Sequence, residues 1–174
     1  MRSVLFLMGP PGCGKTTVGK IVGRALRLPA FDVDNDILET FWGQPVSRVA
    51  RVLSEPDFVR SEGMILLSSL RMLPRPSVLS LSGSTPLNES AFEKARRGNT
   101  AVFIDTPHED IVARMGDMLT DRIAGLPGDG EDGLRELLRA RHPVYEKSCD
   151  LRISVSPGQD PESIARAVIR SVRA

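Results

Sequence analysis

The sequence is poor in several residue types at once. Its two cysteines, Cys13 and Cys149, are too few and too far apart for a disulfide framework. A reducing cytoplasm is the expected setting. His108 and His142 are the only histidines, and no spacing pairs them into a metal site. Lysine is scarce, because 19 of the 23 basic residues are arginine. Those 23 are nearly cancelled by 22 acidic residues, and no basic block stands out. Nucleic acid and membrane surfaces are therefore not expected partners. No apolar run approaches the length of a membrane span, and residues 4–8 lack a signal-peptide cleavage pattern. Internal repeats and low-complexity tracts are absent too. What remains is ordinary soluble composition, 41% apolar and 26% charged over 174 residues. One domain over 1–174 and a monomer are the simplest expectations.

The informative stretch is Gly9-Pro10-Pro11-Gly12-Cys13-Gly14-Lys15-Thr16. It fits G-x-x-x-x-G-K-[ST], follows the apolar run Val4 to Met8, and precedes helical spacing at Val18, Ile21, Val22, Ala25 and Leu26. Strand, glycine loop and helix together make a phosphate-binding P-loop. Gly9, Gly12 and Gly14 permit close backbone approach, so that successive N–H groups, including those of Cys13 and Thr17, can face one anion. The helix starting near Lys15 adds its positive end. Lys15 reaches β- and γ-phosphates, and the Thr16 hydroxyl can ligate Mg²⁺. A nucleoside triphosphate and Mg²⁺ are the expected cofactors.

Short β-like runs at 4–8, 30–34, 77–81, 100–105 and 151–155 alternate with helical stretches. The helices are expected near 36–41, 45–53, 58–70, 86–97, 108–118, 134–141 with a further turn from Pro143, and 161–172. The glycine-rich 125–130 reads as a mobile loop. This alternation predicts a five-stranded, mainly parallel sheet flanked by helices, a three-layer α/β/α fold of the P-loop NTPase class. Ligands then bind at the carboxyl ends of the strands, which should gather Gly9, Asp32, Asp34, Gly83 and Asp105 on one rim.

Asp32 and Asp34 lie two apart, and in a strand that spacing points both to one face. One carboxylate suits the Mg²⁺ shell and the other a proton-accepting role toward a hydroxyl. Capping of the following helix by Asp34 or Asp36 is the alternative.

These residues resemble the shikimate kinases, small P-loop enzymes related in fold to nucleoside monophosphate kinases. The resemblance spans the chain. It rests on the P-loop, Phe31-Asp32-Val33-Asp34 with Asp36-Ile37, Phe58 with Glu62, Ser82-Gly83-Ser84, Arg122, and Arg141-His142-Pro143-Val144-Tyr145, which is similar to R-x-P-x-Y. It implies transfer of the γ-phosphate of ATP to the 3-hydroxyl of shikimate. It implies substrate-binding helices at about 36–70 and a mobile lid at about 119–131. Lys15, Asp34 and Arg122 would be catalytic, and Thr16 and Asp32 would serve the metal. Arg114, Arg122 and Pro161 would join the loop in holding the nucleotide, with Arg114 on the adenine. Asp34, Arg60, Gly83 and Arg141 would face the substrate.

The sequence departs from that pattern on one side only. F-R-x-x-E reads Phe58-Val59-Arg60-Ser61-Glu62, so the carboxylate-clamping arginine is Val59, with Arg60 one residue along. G-G-G reads Ser82-Gly83-Ser84, and an aromatic near the substrate ring is Ala50. A kinase for another small hydroxylated acid or polyol is therefore the second expectation. A catalytically silent nucleotide-binding module is the third, and a nucleoside monophosphate kinase ranks below these.

Overall fold

The structure is a computed structural model that describes residues 3–115 and 130–173. Its centre is β1, Val4–Met8, buried along its whole length. Val4, Phe6 and Met8 face one apolar core, and Leu5 and Leu7 face another. Side chains alternate along a strand, so an unbroken apolar run requires cover on both sheet faces. β3, Ser77–Ser80, pairs with β1 on one side, and β4, Thr100–Asp105, on the other. β2, Ala30–Asp32, lies beyond β3, and β5, Leu151–Ser154, beyond β4. All pairings are parallel, in the order β2-β3-β1-β4-β5. The carboxyl ends share one rim, and the order reverses direction beside β1, where ligand crevices form.

One face is covered by α1 (Lys15–Leu26), α6 (His108–Met115) and α8 (Pro161–Arg173). Ile164, Ala165 and Val168 form the buried stripe of α8. On α1 the buried stripe is Val18, Gly19, Val22 and Gly23. The absent side chains matter at Gly23. A Cβ there would sit 2.8 Å from Ala30 Cβ and 3.0 Å from the Leu28 carbonyl oxygen. The opposite face carries α2 (Glu39–Trp42), α3 (Val46–Val52), α4 (Glu55–Ser69) and α5 (Glu89–Arg96). α7, Gly130–Ser148, contributes to both cores through Leu134, Leu137 and Leu138 on one side and Tyr145 on the other.

Three elements differ from the sequence expectation. β2 stops at Asp32, and Val33–Leu38 forms a π-helical turn. Asp32 caps it by accepting from Asn35 N, while Asp36 Oδ2 reaches back to Asp32 N at 2.7 Å. The competition of Asp side chains for nearby amides ends the strand early. The helix expected over 86–97 begins instead at Glu89, after a 3₁₀ turn Thr85–Leu87, because Asn88 Oδ1 caps Ala91 N. α7 runs unbroken through Pro143. Proline removes one helical donor and crowds the preceding turn. The buried stripe Leu134, Leu137, Leu138, Arg141 and Tyr145 outweighs that loss. Of the lid expected near 119–131, residues 119–129 and Arg122 lie outside the described residues, and Gly130 and Glu131 belong to α7. Among the described residues no helix is long and apolar enough to cross a membrane.

Gly23→Ala should lower stability by about 1 kcal/mol, and by no more than about 2 kcal/mol. Overpacking against a backbone carbonyl costs roughly 1–3 kcal/mol, and the helix-propensity gain of about 1 kcal/mol offsets part of it. Urea denaturation measures it, and a stabilised variant would contradict the close packing of α1.

Candidate active site

The loop from Gly9 to Thr16 leaves the end of β1 and enters α1. Gly9 and Gly12 hold φ of +147° and +77°, in the left-handed region that glycine tolerates. A Cβ on Gly9 would lie 3.0 Å from the Ile104 carbonyl oxygen. Neighbouring strand ends pin the loop. Thr106 Oγ1 donates to the Cys13 carbonyl at 3.1 Å, and Ser80 Oγ to the Lys15 carbonyl at 3.0 Å. Lys15 is buried and folds over the loop, donating from Nζ to Gly9 O (2.9 Å) and Pro10 O (2.8 Å). Both acceptors are neutral, so a phosphate oxygen would be a stronger partner in the same place.

Thr16 Oγ1 donates to Asp32 Oδ2 at 2.5 Å. These two oxygens are hard donors of the kind Mg²⁺ takes. Mg²⁺ usually needs only one or two protein ligands when phosphates and water supply the rest. Among the described residues no cluster of three or more His, Cys, Asp or Glu side chains forms a metal cage. The Thr16–Asp32 pair therefore fits a cation held jointly with a nucleotide.

Asp34 reaches the same site by a different route from the one its spacing suggests. It lies beyond β2, in the π-helical turn, so strand alternation does not place it. The turn does: Asp32 and Asp34 both line one cavity. Asp34 Oδ1 is buried there without a hydrogen-bond partner among the described residues. Burial, and then the charge of Asp32, push its carboxyl up to about 6, against the pull of Lys15 and the Ser82 hydroxyl.

That cavity holds about 300 Å³, and its wall includes Lys15, Thr16, Phe58, Ser82, Gly83 and Arg141. A second lobe, lined by Gly12, Gly14, Lys15, Thr16, Thr17, Arg114 and Pro161, opens on the other side of the loop. Gly12, Lys15, Thr16 and Arg114 are common to both. The second lobe thus holds only nucleotide-side candidates, and the first holds Asp34, Gly83 and Arg141 beside Thr16, Asp32 and Arg114. Gly9 and Cys13 stand behind the loop rather than in either lobe, and Cys13 is fully buried. Arg114 also pairs with Asp110 at 3.6 Å.

The acceptor-side wall rests on Glu62, which is fully buried. It accepts from Ser84 Oγ and Thr85 Oγ1, and Ser84 Oγ lies 3.2 Å from Ser82 Oγ. Burial raises its carboxyl to about 7, against those two hydroxyls, with Asp34 adding and Arg141 subtracting. Arg141 is 5% exposed and donates to Glu55 Oε1 at 2.8 Å. Tyr145 donates to the Gly83 carbonyl at 2.6 Å, fixing the glycine against α7. Gly83 is tight on its other side, where a Cβ would meet Pro11 Cδ at 2.8 Å.

One sequence expectation needs correction. Arg60 does not face the cavity; it is 71% exposed and pairs with Asp57. On a helix of about 100° per residue, Glu55, Phe58 and Glu62 share a face that Arg60 misses. Asp105 ends β4 on the expected rim but lines neither lobe: it bonds His142 Nε2 at 3.1 Å and Arg152, turning toward α7 and β5.

Comparison with known proteins separates fold from family. The shikimate kinase from Acinetobacter baumannii in complex with shikimate superposes with a TM-score of 0.81 over 98% of this chain and 93% of that one. At 23% identity that likeness speaks for the fold. The family description for shikimate kinase matches residues 11–173. The chain belongs to the shikimate kinase family. The shikimate kinase of Rhodopirellula baltica is 33% identical, across 87% of this chain and 81% of that protein. Human threonine synthase-like 1 is 35% identical across 97% of this chain, which spans only 22% of that protein's length.

Within this shikimate kinase family member, sequence reading passed over Glu55, Thr85 and the lining residues Val46, Leu81 and Met115. Glu55 had a signal. It follows the Ser54 cap and stands three and seven residues before Phe58 and Glu62, on their helix face. Nothing local marked Thr85.

Glu62 predicts a pH dependence of stability. Its folded value, about 7, lies above the ordinary 4.5, so the native state binds the extra proton between those values. Stability is then fullest below about 4.5, falls as pH rises through about 7, and stays low above. The shift corresponds to about 3 kcal/mol, and Asp34 adds in the same direction. Glu62→Gln should flatten the difference in unfolding free energy between about pH 5 and pH 8. An unchanged difference would remove Glu62 as its source.

Proposed function

We propose that the chain transfers the γ-phosphoryl group of ATP to a hydroxyl of a small hydroxylated acid, with shikimate as the leading acceptor. The observation that carries this reading is the pair of lobes meeting at Lys15 and Thr16, with the unpartnered Asp34 Oδ1 on the acceptor side.

In this reading the loop amides and Lys15 hold the β- and γ-phosphates, and Thr16 and Asp32 supply oxygens to Mg²⁺. Bound Mg²⁺ would neutralise charge on the phosphates. Arg114 and Pro161 flank the outer lobe, where the base would lie. Arg122, outside the described residues, takes a phosphate-contacting role on the family resemblance alone. On the acceptor side Asp34 orients the hydroxyl and accepts its proton as the oxygen attacks phosphorus. Gly83 presents backbone to the acceptor, and Arg141 pairs with its carboxylate, for which a planar guanidinium is suited. Positioning and charge neutralisation provide most of the catalysis in such transfers.

A second reading, another hydroxylated acid or polyol, is favoured by the Ser82 and Ser84 hydroxyls in the cavity wall. An exposed Arg60 and an apolar Val59 leave no guanidinium from α4 there.

ADP release with a panel of hydroxylated acids and polyols tests the acceptor. Shikimate should raise turnover above the ATP-only rate; if another compound does so and shikimate does not, the first reading falls. Asp34→Asn should cut turnover by about 10²-fold or more, the usual scale for a lost general base. Its ATP affinity should stay within about twofold, by a nucleotide-binding titration. Undiminished turnover would take Asp34 out of that role.

A further inference from the structure

The acceptor cavity contains a carboxylate-binding guanidinium that already has a carboxylate. Arg141 projects from the buried stripe of α7 and lines the cavity. Glu55, in the first turn of α4, bonds it at 2.8 Å. The two partners sit differently. The Arg141 side chain is 6% exposed and that of Glu55 is 41% exposed. Arg141 also lies close enough to Tyr145 and Glu62 to act on their charge. Glu55 hangs from a helix start with one side open to solvent, and it has room to leave.

We propose that Glu55 is a specificity-determining residue, an internal carboxylate that an acidic acceptor must displace from Arg141. The inference rests on the acceptor-side reading given above. It follows from the supply of charge on α4. Val59 is apolar and is absent from the cavity wall, and Arg60 points to solvent. The described part of α4 therefore brings an anion to Arg141 and no second cation. A carboxylate tethered beside its guanidinium competes at high effective concentration. It penalises every acid that needs that guanidinium and leaves neutral polyols untouched. The exchange is one ion pair for another, so Arg141 never stands buried without a counter-charge, which would cost far more than the pair itself is worth. The predicted signature is selective: removal of the Glu55 charge favours acids over their neutral counterparts.

The sole tryptophan offers a readout without turnover. Trp42 packs on Phe58 with ring centroids 5.5 Å apart, and Phe58 lines the cavity. Fluorescence titrations would use shikimate, quinate and gluconate beside their neutral methyl esters or polyols. Glu55→Gln keeps the side-chain length and removes the charge. It should tighten binding of an acid by about 3- to 10-fold, the scale of a partly exposed ion pair, and leave its neutral counterpart unchanged. Asp57→Asn, in the same helical turn but paired with Arg60, should shift neither. In ADP-release kinetics the Glu55→Gln gain should appear in KM with kcat little changed. If another acid shows the selective gain and shikimate does not bind, the shikimate reading falls and the role of Glu55 stands. If no acid gains over its neutral counterpart, or if both gain equally, the role of Glu55 is overturned, whichever acceptor proves to be the substrate.

Discussion

Everything in this chain depends on a strand with no exposed side. Val4 to Met8 is apolar at every position and fully buried, so neither sheet face can be left to water. That requirement brings helices to both faces and parallel neighbours to both edges of β1. Parallel pairing puts every carboxyl end on one rim, where the chain must turn into the next helix. The phosphate loop is the turn at the central strand. Its geometry is set by what surrounds it: the Ile104 carbonyl behind Gly9, Thr106 on Cys13 and Ser80 on Lys15.

The nucleotide side was legible in the sequence because it is local. Gly9 to Thr16 carries its own backbone conformation, its own cation and its own helix start within eight residues. The sheet was legible because five short apolar runs alternate with helical periodicity. The acceptor side is assembled from α4, the end of β3 and α7, and its contacts span large separations, such as Arg141 with Glu55 and Tyr145 with Gly83. Asp34 was correctly grouped with Asp32, but for the wrong geometric reason: a capped π-helical turn, not a strand face, brings it in. Arg60 was misplaced by one residue, which on a helix is the difference between cavity and solvent. The break expected before Pro143 failed because a buried stripe outweighs one missing hydrogen bond.

The two halves of the site also differ in how firmly they are held. Lys15 bonds back onto its own loop, and Thr16 reaches Asp32 at the end of the neighbouring β2. The acceptor wall is a stack of hydroxyls on a buried carboxyl, Ser82, Ser84 and Thr85 over Glu62. Hydroxyls rotate to donate or accept, so this wall can meet more than one pattern of substrate oxygens. Burial raises the Glu62 carboxyl to about 7, favouring the neutral form over an uncompensated charge in the core.

The outermost strands carry a different consequence. An open sheet invites further strands at its rims, and a free row of amides is the usual template for aggregation. β2 is only three residues long, and the amide of Asp32 at its end is already taken by Asp36. β5 carries Arg152, whose guanidinium is engaged by Asp105 and Glu146. A foreign strand would meet a stub at one border and a charged cluster at the other. The Asp36 carboxylate that closes the turn after β2 thus also helps to keep the molecule from growing sideways.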